Sequence, residues 1–386
     1  MIEEVKISEL VVGYYVVDIA TQQNNYSLSA PGVIKNKDVI NNLENKGVTS
    51  VLVDKSKTVL SEANSAPRKD RQTIAKEVKE AKAIFDQSKT IQKKVFADAL
   101  AGCDLDLAPV IEATNKTVDA VFNSPDSLAC VVNIREKDEY LLEHSVAVCV
   151  YMSIFARHLK MPEKVVQHLA IGAFLHDVGK IMIPDEILNK PGRLTDEEFV
   201  IMKTHANHSI DIIKKTPGIS KLSLEVAALH HEKLNGGGYP HQVKGDDISK
   251  FGRMIAVCDI FDALTATRVY KEGFTHMKAF SILRELVKEN HLDHTLVEDF
   301  IRCIGSFPVG SLVQLNSKKL AVVEQRNSED PTKPTVRSFY SVKLRHYLNT
   351  QNIDLSKSDD FIVKSVRADD FNLNMREITE LLLMEG

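Results

Sequence analysis

The sequence LHDVGK at residues 175–180 ends an apolar segment with helical spacing, and it places a histidine beside an aspartate at the end of a predicted buried helix. Neighbouring side chains on a helix point about 100° apart, so His176 and Asp177 can face two metal ions, with the carboxylate bridging them. Lys180 lies one turn beyond Asp177 on much the same face. An isolated His-Asp pair is more often a polar helix end than a metal site. The choice between these two interpretations therefore depends on other parts of the chain.

A second cluster, HHEKLNGGGYP at residues 230–240, follows another apolar helix and runs directly into a glycine-rich turn. Glycines let a backbone approach a bulky ligand closely and offer its N–H groups without obstruction by side chains. An Asn-Gly turn alone would be ordinary turn chemistry. His230 and His231 stand at the buried end of the helix, where each needs a partner, and a shared metal ion would provide one.

Four further polar residues occur within predicted helices of the same part of the chain. His144 lies mid-helix, His205 lies in a helix with a clear start, and Asp259 belongs to the otherwise apolar run 254–261. An unpaired carboxylate on such a helix would be costly, so Asp259 is expected to face a cation. Asp262, almost one turn on, could orient a ligand. Each residue alone favours a structural role, and only their joint presence indicates a metal centre.

The composition is that of a folded globular protein. Of 386 residues, 44% are hydrophobic and 26% are charged, and 49 basic against 53 acidic side chains give a formal net charge of −4. This mild acidity gives no support to binding of bulk nucleic acid or to a membrane-surface role. No apolar run approaches the ~18 residues that cross a bilayer, so membrane insertion is not expected.

The cysteines and the first residues bear on location. The five cysteines are scattered and never in C-x-x-C spacing, which argues against a disulfide framework and against a thiolate zinc site. The chain starts MIEEVKISEL, without the basic-then-apolar order of a signal peptide. A cytoplasmic location is therefore predicted.

Helical spacing dominates the middle of the chain, and the predicted fold class is mainly α. The predicted parts are a small α/β domain at 1–62, a linker and helical connector at 63–125, an all-helical domain at 126–305 and a small α+β cap at 306–386. The predicted helices are 38–46, 71–100, 140–159, 163–181, 196–215, 251–267 and 367–384, with a capping box of Thr195 and Glu198. The predicted strands are 11–19, 48–53, 312–315, 320–324 and 336–342.

Three ordered motifs carry a family resemblance: HDVGKIMIPDEILNKPG, then HHEKLNGGGYP, then RMIAVCDIFDALTATRVYK. Together they resemble the HD-GYP family, a bacterial branch of the HD metallohydrolases, over roughly residues 131–287. The first sixty residues resemble the uncharacterised domain that often precedes HD-GYP modules. The resemblance implies an all-α HD-type fold and hydrolysis of cyclic di-GMP by a cluster of two or three iron or manganese ions.

The resemblance also implies a ligand set, with Asp177 bridging. The implied ligands are His144, His176, Asp177, His205, His230, His231 and Asp259. Family members with a third metal place a glutamate four residues before the first histidine, where this chain has Tyr140, and Glu139 and Glu143 are off the required phase. Two divalent metal ions, iron or manganese, are therefore predicted.

Several residues match positions that contact substrate in the family. Lys180 would contact the phosphate and protonate or stabilise the leaving oxygen, and Arg268 and Lys271 would grip the phosphates. The implied substrate loop is Gly238, Tyr239 and Pro240, and Asp262 and Arg253 would support the ligands from behind.

The chain departs from the family pattern at several positions without losing a predicted metal ligand. Asn235 replaces the usual acidic loop residue, Ser209 a common glycine, and RVYK at residues 268–271 the usual R-P-Y-R. His208, one turn from His205, is a weaker candidate for support of the ligands. The other histidines match nothing.

The predicted activity is metal-dependent hydrolysis of a cyclic dinucleotide, cyclic di-GMP to linear pGpG, by a hydroxide that bridges two metal ions. Whether GMP follows stays open. The alternatives are a preference for cyclic GMP-AMP, which Asn235 leaves open, and a catalytically silent dinucleotide sensor. An enzyme for mononucleotides is disfavoured, because a smaller substrate would not need the glycine-rich loop. A signalling partner protein and a homodimer both stay open.

Overall fold

The computed structural model describes residues 2–11, 14–24, 28, 31–34, 37–54, 70–134, 140–266, 273–327, 329–374 and 377–378. The chain divides into two compact units, one of Met1–Lys69 with Ser328–Asp330 and one of Asp70–Asn327 with Pro331–Gly386. Within the described part of the chain, none of the helices is both long enough and apolar enough to cross a bilayer.

The first unit is a small antiparallel sheet with one helix. Its strands are β1 (Ile2–Lys6), β2 (Tyr15–Gln22), β3 (Gly32–Val33) and β4 (Val48–Asp54), in the order β1-β4-β2-β3, and its helix is α1 (Lys37–Asn45). The central strand β4 buries Val48, Val51 and Val53, which supply much of the core of the unit. The predicted helix and the second predicted strand are confirmed, whereas the first predicted strand begins later, at Tyr15.

The second unit begins with eleven described helices. They are α2 (Arg71–Leu100), α3 (Leu107–Asn123), α4 (Pro125–Asn133), α5 (Tyr140–His158), α6 (Glu163–Leu175), α7 (Asp185–Leu188), α8 (Asp196–Lys215), α9 (Lys221–Leu229), α10 (Lys250–Thr265), α11 (His276–Lys288) and α12 (His294–Ile304). The predicted capping box at Thr195 and Glu198 is present at the start of α8. The mainly α prediction is confirmed.

The core of this bundle surrounds α5 and α6, most of whose residues are buried. Tyr151, Phe261 and Phe300 meet edge to face there, with ring centroids 5.0–6.3 Å apart. The long helix α2 packs on α3, α4 and α5. A rigid, apolar bundle therefore holds the helix ends that carry the motifs.

The helix predicted for 163–181 ends earlier, at Leu175. A 3₁₀ helix follows at Val178–Met182. A Cβ on Gly179 would lie 2.2 Å from the carbonyl oxygen of His205 and 2.4 Å from the backbone nitrogen of Ser209. Only glycine lets this turn press against α8, and the periodicity of apolar residues does not reveal that contact.

The chain continues into a five-stranded antiparallel sheet. The strands are β5 (Leu312–Leu315), β6 (Lys319–Gln325), β7 (Thr335–Ser341), β8 (His346–Asp354) and β9 (Ile362–Ser365), in the order β8-β7-β6-β5-β9. The predicted hairpin and third strand are confirmed. The described start of the helix predicted at 367–384 instead forms a 3₁₀ turn at Asp369–Phe371. Glu377 and Ile378 are helical, and most of the remainder lies outside the described residues.

Candidate metal centre

The bundle brings the seven predicted ligands to one place. The ligands are His144 on α5, His176 and Asp177 after α6, His205 on α8, His230 and His231 after α9, and Asp259 on α10. Six of them are buried and His231 is partly buried. They form two groups, and within each group the candidate ligand atoms lie within 4.8 Å of one another.

The first group consists of His144, His176 and Asp259. The Nε2 atom of His144 lies 3.0 Å from Oδ1 of Asp259 and 3.3 Å from Oδ2 of Asp177. The Nε2 atom of His176 also lies 3.3 Å from Oδ2 of Asp177. Two imidazole nitrogens and two carboxylates therefore converge on one small volume.

The second group consists of Asp177, His205, His230 and His231. The other carboxylate oxygen of Asp177, Oδ1, lies 3.4 Å from Nε2 of His205 and 3.7 Å from Nε2 of His230. His231 directs Nε2 at Nε2 of His205, 3.1 Å away, and Nδ1 at Oδ2 of Asp259, 3.4 Å away. Asp177 thus offers one oxygen to each group, as a bridging ligand must.

Four of the histidines are oriented from behind. Nδ1 lies 2.6–2.7 Å from the carbonyl oxygen three residues earlier in His176, His205 and His230. Because a carbonyl oxygen can only accept a hydrogen bond, Nδ1 carries the proton and Nε2 keeps a free lone pair toward the centre. In His144 the same position faces Oδ2 of Asp262 at 2.7 Å, where the sequence predicted a supporting carboxylate.

Three buried polar atoms at the centre have no hydrogen-bond partner within the described chain. They are Nε2 of His176, Nε2 of His230 and Oδ1 of Asp177. Buried polar atoms normally find partners, because burial without one costs free energy. All three are metal-ligand atoms and all three point into the cluster, so the residues present fit divalent cations.

The electrostatics prepare the cluster for cations. Burial lowers the pKa of His205 to about 4 and the pKa of His230 to about 3, so both imidazoles are neutral at pH 7. Burial alone would raise the pKa of Asp177, but its contacts with His176 and with the ammonium of Lys180 hold it well below its usual value. Neutral imidazoles and charged carboxylates are the protonation states that metal binding requires.

Lys180 extends from the 3₁₀ turn back to the centre. Its ammonium contacts Oδ2 of Asp177, and its side chain is still 17% exposed. The preceding Gly179 donates its backbone N–H to Oγ of Ser209 at 2.8 Å. The hydroxyl that stands at the family's common glycine position therefore fixes the turn that directs Lys180.

The glycine-rich loop folds back over the second group. The Tyr239 ring lies 4.6 Å from the His231 ring, and the Tyr239 backbone N–H donates to the His231 carbonyl at 3.2 Å. Oε1 of Glu232 accepts the backbone N–H of His241 at 2.7 Å and so closes the loop. Gly238 packs against the backbone of Glu232. Tyr239 and Pro240 come next in the chain.

Glu232 is the residue that the sequence analysis missed. Its only sequence signal is an acidic side chain directly after two predicted ligands. Asn235, by contrast, holds a turn in this loop, since its Oδ1 accepts the backbone N–H of Gly237 at 2.8 Å. An amide oxygen can fill that role as well as a carboxylate oxygen.

Other predicted residues have different surroundings. Arg253 donates to Asp246 at 2.9 Å and to Asp293 at 3.1 Å, so it ties the chain after the loop to α12. Arg268 and Lys271 lie outside the described residues. His208 is partly buried, and its Cβ borders Gly179 in the turn after α6.

The residues considered for a third metal lie near the start of α5. The side chain of Tyr140 and all of Glu139 lie outside the description. Glu143 pairs with Lys89 of α2 at 3.0 Å. Neither group of candidate ligand atoms includes Glu143.

Comparison with known families covers three parts of the chain. Residues 131–296 match the model of the HD domain, residues 2–110 match a domain of unknown function (DUF3391), and residues 312–374 match a KOW domain associated with HD domain. The HD match contains all seven candidate ligands.

Several relatives are named phosphodiesterases. A cyclic di-GMP phosphodiesterase of Pseudomonas aeruginosa is 33% identical over 295 residues, which cover 76% of this chain and 70% of the relative. A cyclic di-GMP phosphodiesterase of Vibrio cholerae is 40% identical, over 41% of this chain and 34% of the relative. A 3'3'-cGAMP-specific phosphodiesterase of the same species is 39% identical, over 43% of this chain and 33% of the relative.

Proposed function

Because the chain belongs to the HD-GYP family of HD-domain proteins, we propose that it hydrolyses a phosphodiester bond of a cyclic dinucleotide, with cyclic di-GMP as the substrate. The observation that carries this proposal is the carboxylate of Asp177, whose two oxygens face two separate groups of histidines. The negative charge of a phosphodiester repels an attacking nucleophile, and two cations held side by side would neutralise that charge.

Two divalent ions, iron or manganese, would be held by the seven ligands, one in each group. When bound, they would supply Lewis-acid activation of water and of the phosphate. The chain itself contributes buried ligand side chains and neutral imidazoles fixed from behind by their Nδ1 partners. The two groups of histidine and carboxylate ligands support the number of ions, and the family resemblance supports iron or manganese.

Lys180 would serve the leaving group. Hydrolysis adds the oxygen of water to phosphorus and breaks the bond from phosphorus to a ribose oxygen, which must acquire a proton. The ammonium of Lys180 stands beside Asp177 and is partly exposed, so it can donate a hydrogen bond or a proton to that oxygen. Arg268 and Lys271 would balance charge on the phosphates, and Tyr239 with its loop would border the substrate.

Turnover of cyclic di-GMP by protein purified without oxygen and supplied with ferrous iron or manganese tests this function. We expect a linear dinucleotide as product, loss of turnover in Asp177→Ala, and full turnover in Asp211→Ala, which removes an exposed carboxylate of α8. Equal activity of Asp177→Ala and wild type would contradict the metal mechanism. Tight binding of the dinucleotide without product would favour the sensor hypothesis.

Cyclic GMP-AMP is the second candidate substrate. It is favoured by the uncharged Asn235 in the loop and by the similarity to a 3'3'-cGAMP-specific enzyme. Competition between the two dinucleotides, read as the ratio of their kcat/KM values, decides between them. Restoration of the family's acidic residue by Asn235→Asp should shift that ratio if the loop selects the base.

The flanking parts complete the proposal. We assign residues 126–305 to catalysis, residues 1–62 and 306–386 to separate small domains, and residues 63–125 to a linker and helical connector. The cytoplasmic location and a signalling partner or second copy of the chain stay predictions.

A further inference from the structure

The first turns of α8 expose three consecutive large apolar side chains. Phe199, Val200 and Ile201 are 46%, 58% and 40% exposed, respectively. Successive helical residues point about 100° apart, so these side chains face different directions. The three side chains therefore do not form one apolar docking surface. Each must be judged from the residues that it contacts.

Phe199 is the member of this run that adjoins the metal centre. Its ring centroid lies 6.3 Å from that of Tyr239, with the rings at 87°. The Tyr239 ring in turn lies 4.6 Å from His231 and 6.1 Å from His205. A continuous line of ring contacts therefore leads from the candidate ligands to a half-exposed phenyl ring.

The surroundings of Phe199 suit an anionic, aromatic ligand. An edge-to-face contact with Tyr239 occupies at most one face of the phenyl ring. The ammonium of Lys203 lies over the ring, 5.3 Å from its centroid, in a cation–π contact. This flexible side chain must leave the ring face for a base to stack there, and from the rim of the ring it would still supply a positive charge. Phosphates and planar bases are the groups that such a combination recognises.

We propose that Phe199 stacks on a purine base of the cyclic dinucleotide while one phosphodiester lies at the metal centre. This subsite rests on the proposed function and names the part of the substrate that lies outside the metal cluster. The base would extend past Tyr239 onto α8. Stacking tolerates any purine, so Phe199 would contribute affinity, and the choice between guanine and adenine would lie elsewhere.

The absence of tryptophan from the chain gives a direct test. Phe199→Trp introduces a single indole at the proposed subsite, and Val200→Trp introduces one at the next, more exposed position as a matched control. The two variants are mixed rapidly with cyclic di-GMP in the presence of manganese, and indole fluorescence is followed before turnover. We expect saturable quenching in Phe199→Trp alone.

Steady-state kinetics provide the second measurement. Loss of one aromatic stacking partner weakens binding by ~1–3 kcal/mol, so Phe199→Ala should raise KM by about 10-fold. We expect kcat to change less than twofold, Phe199→Trp to keep the wild-type KM, and Val200→Ala to behave as wild type. The side chain is exposed, and circular dichroism verifies that the variants fold.

Equilibrium dialysis separates the two ways in which the proposal can fail. If the dinucleotide binds wild type but Phe199→Trp is not quenched and Phe199→Ala keeps its KM, the subsite is wrong and the proposed function stands. If metal-loaded wild type binds no dinucleotide, both the proposed function and the subsite are overturned.

Discussion

The two groups of the candidate metal centre are held in partly different ways. In the first group, His144 and Asp259 come from the interiors of α5 and α10, and His144 is backed by the carboxylate of Asp262. In the second group, His230 and His231 follow the end of α9 and lead directly into the glycine-rich loop, and His230 is backed by a backbone carbonyl. Helix interiors thus fix His144 and Asp259 of the first group, whereas His230 and His231 of the second group are joined to the glycine-rich loop.

Asp177 links the groups, and its removal should have the largest effect. In Asp177→Ala we expect both metal ions to be lost and activity to fall by well over the ~10–100-fold that follows loss of an outer partner of a ligand. Metal per chain, measured by elemental analysis of anaerobically purified protein, checks this. One ion retained at full occupancy would show that Asp177 does not bridge.

Asp262→Asn should weaken metal binding by the first group and leave the second group unchanged. The amide can still accept the hydrogen bond from His144 but carries no charge, so the imidazole becomes a poorer ligand. We expect the affinity of the first group alone to fall by ~10–100-fold. Manganese titration followed by electron paramagnetic resonance should then show one shifted step and one unchanged step; two equally shifted steps would argue against separate groups.

The sequence indicates the candidate ligands more completely than the residues that support them. His176 and Asp177 are adjacent in the chain, and the motifs place the other candidate ligands within a predicted helix or directly after an apolar helical segment. The packing of the bundle then brings all seven together. The carbonyl partners of His176, His205 and His230 follow from helical geometry, since each lies three residues earlier.

Long-range pairs have no such signal. Lys89 and Glu143 are 54 residues apart on different helices, and no periodicity connects them. Likewise, β8 was missed because it is an edge strand with mostly exposed, polar residues, which lack the alternation of a half-buried strand. Tertiary contact decides these features, and local pattern does not.

Lys89→Met tests whether α2 reaches the first group. Lys89 pairs with Glu143, whose side chain is 7% exposed and which precedes His144 in the chain. Loss of the cation leaves a buried carboxylate beside a ligand, and we expect the manganese affinity of the first group to fall a few-fold while the second group is unchanged.

A double-mutant cycle provides the control for that variant. Glu143→Gln in the Lys89→Met background removes the charge that Lys89 balances in the wild type, and the pair should show a coupling free energy of about 0.5–3 kcal/mol. Lys116→Met breaks the exposed ion pair with Glu112, in which the Lys116 side chain is 42% exposed and the Glu112 side chain 63% exposed. This variant should leave both steps of the manganese titration unchanged. If Lys89→Met lowers the melting temperature but shifts neither step of the manganese titration, the pair of Lys89 and Glu143 contributes only to stability.

Ser209→Ala should have the smallest effect and should spare both groups. The Gly179 backbone N–H would lose its buried acceptor, which costs ~1–3 kcal/mol in the free energy of unfolding. Because this N–H fixes the turn that directs Lys180, kcat should fall a few-fold while metal content and KM stay at wild-type values. Ser209→Thr keeps the hydroxyl and should retain kcat if its extra methyl group is accommodated. A fall in metal content would instead place Ser209 among the supports of His205, and the turn would then belong to the second group.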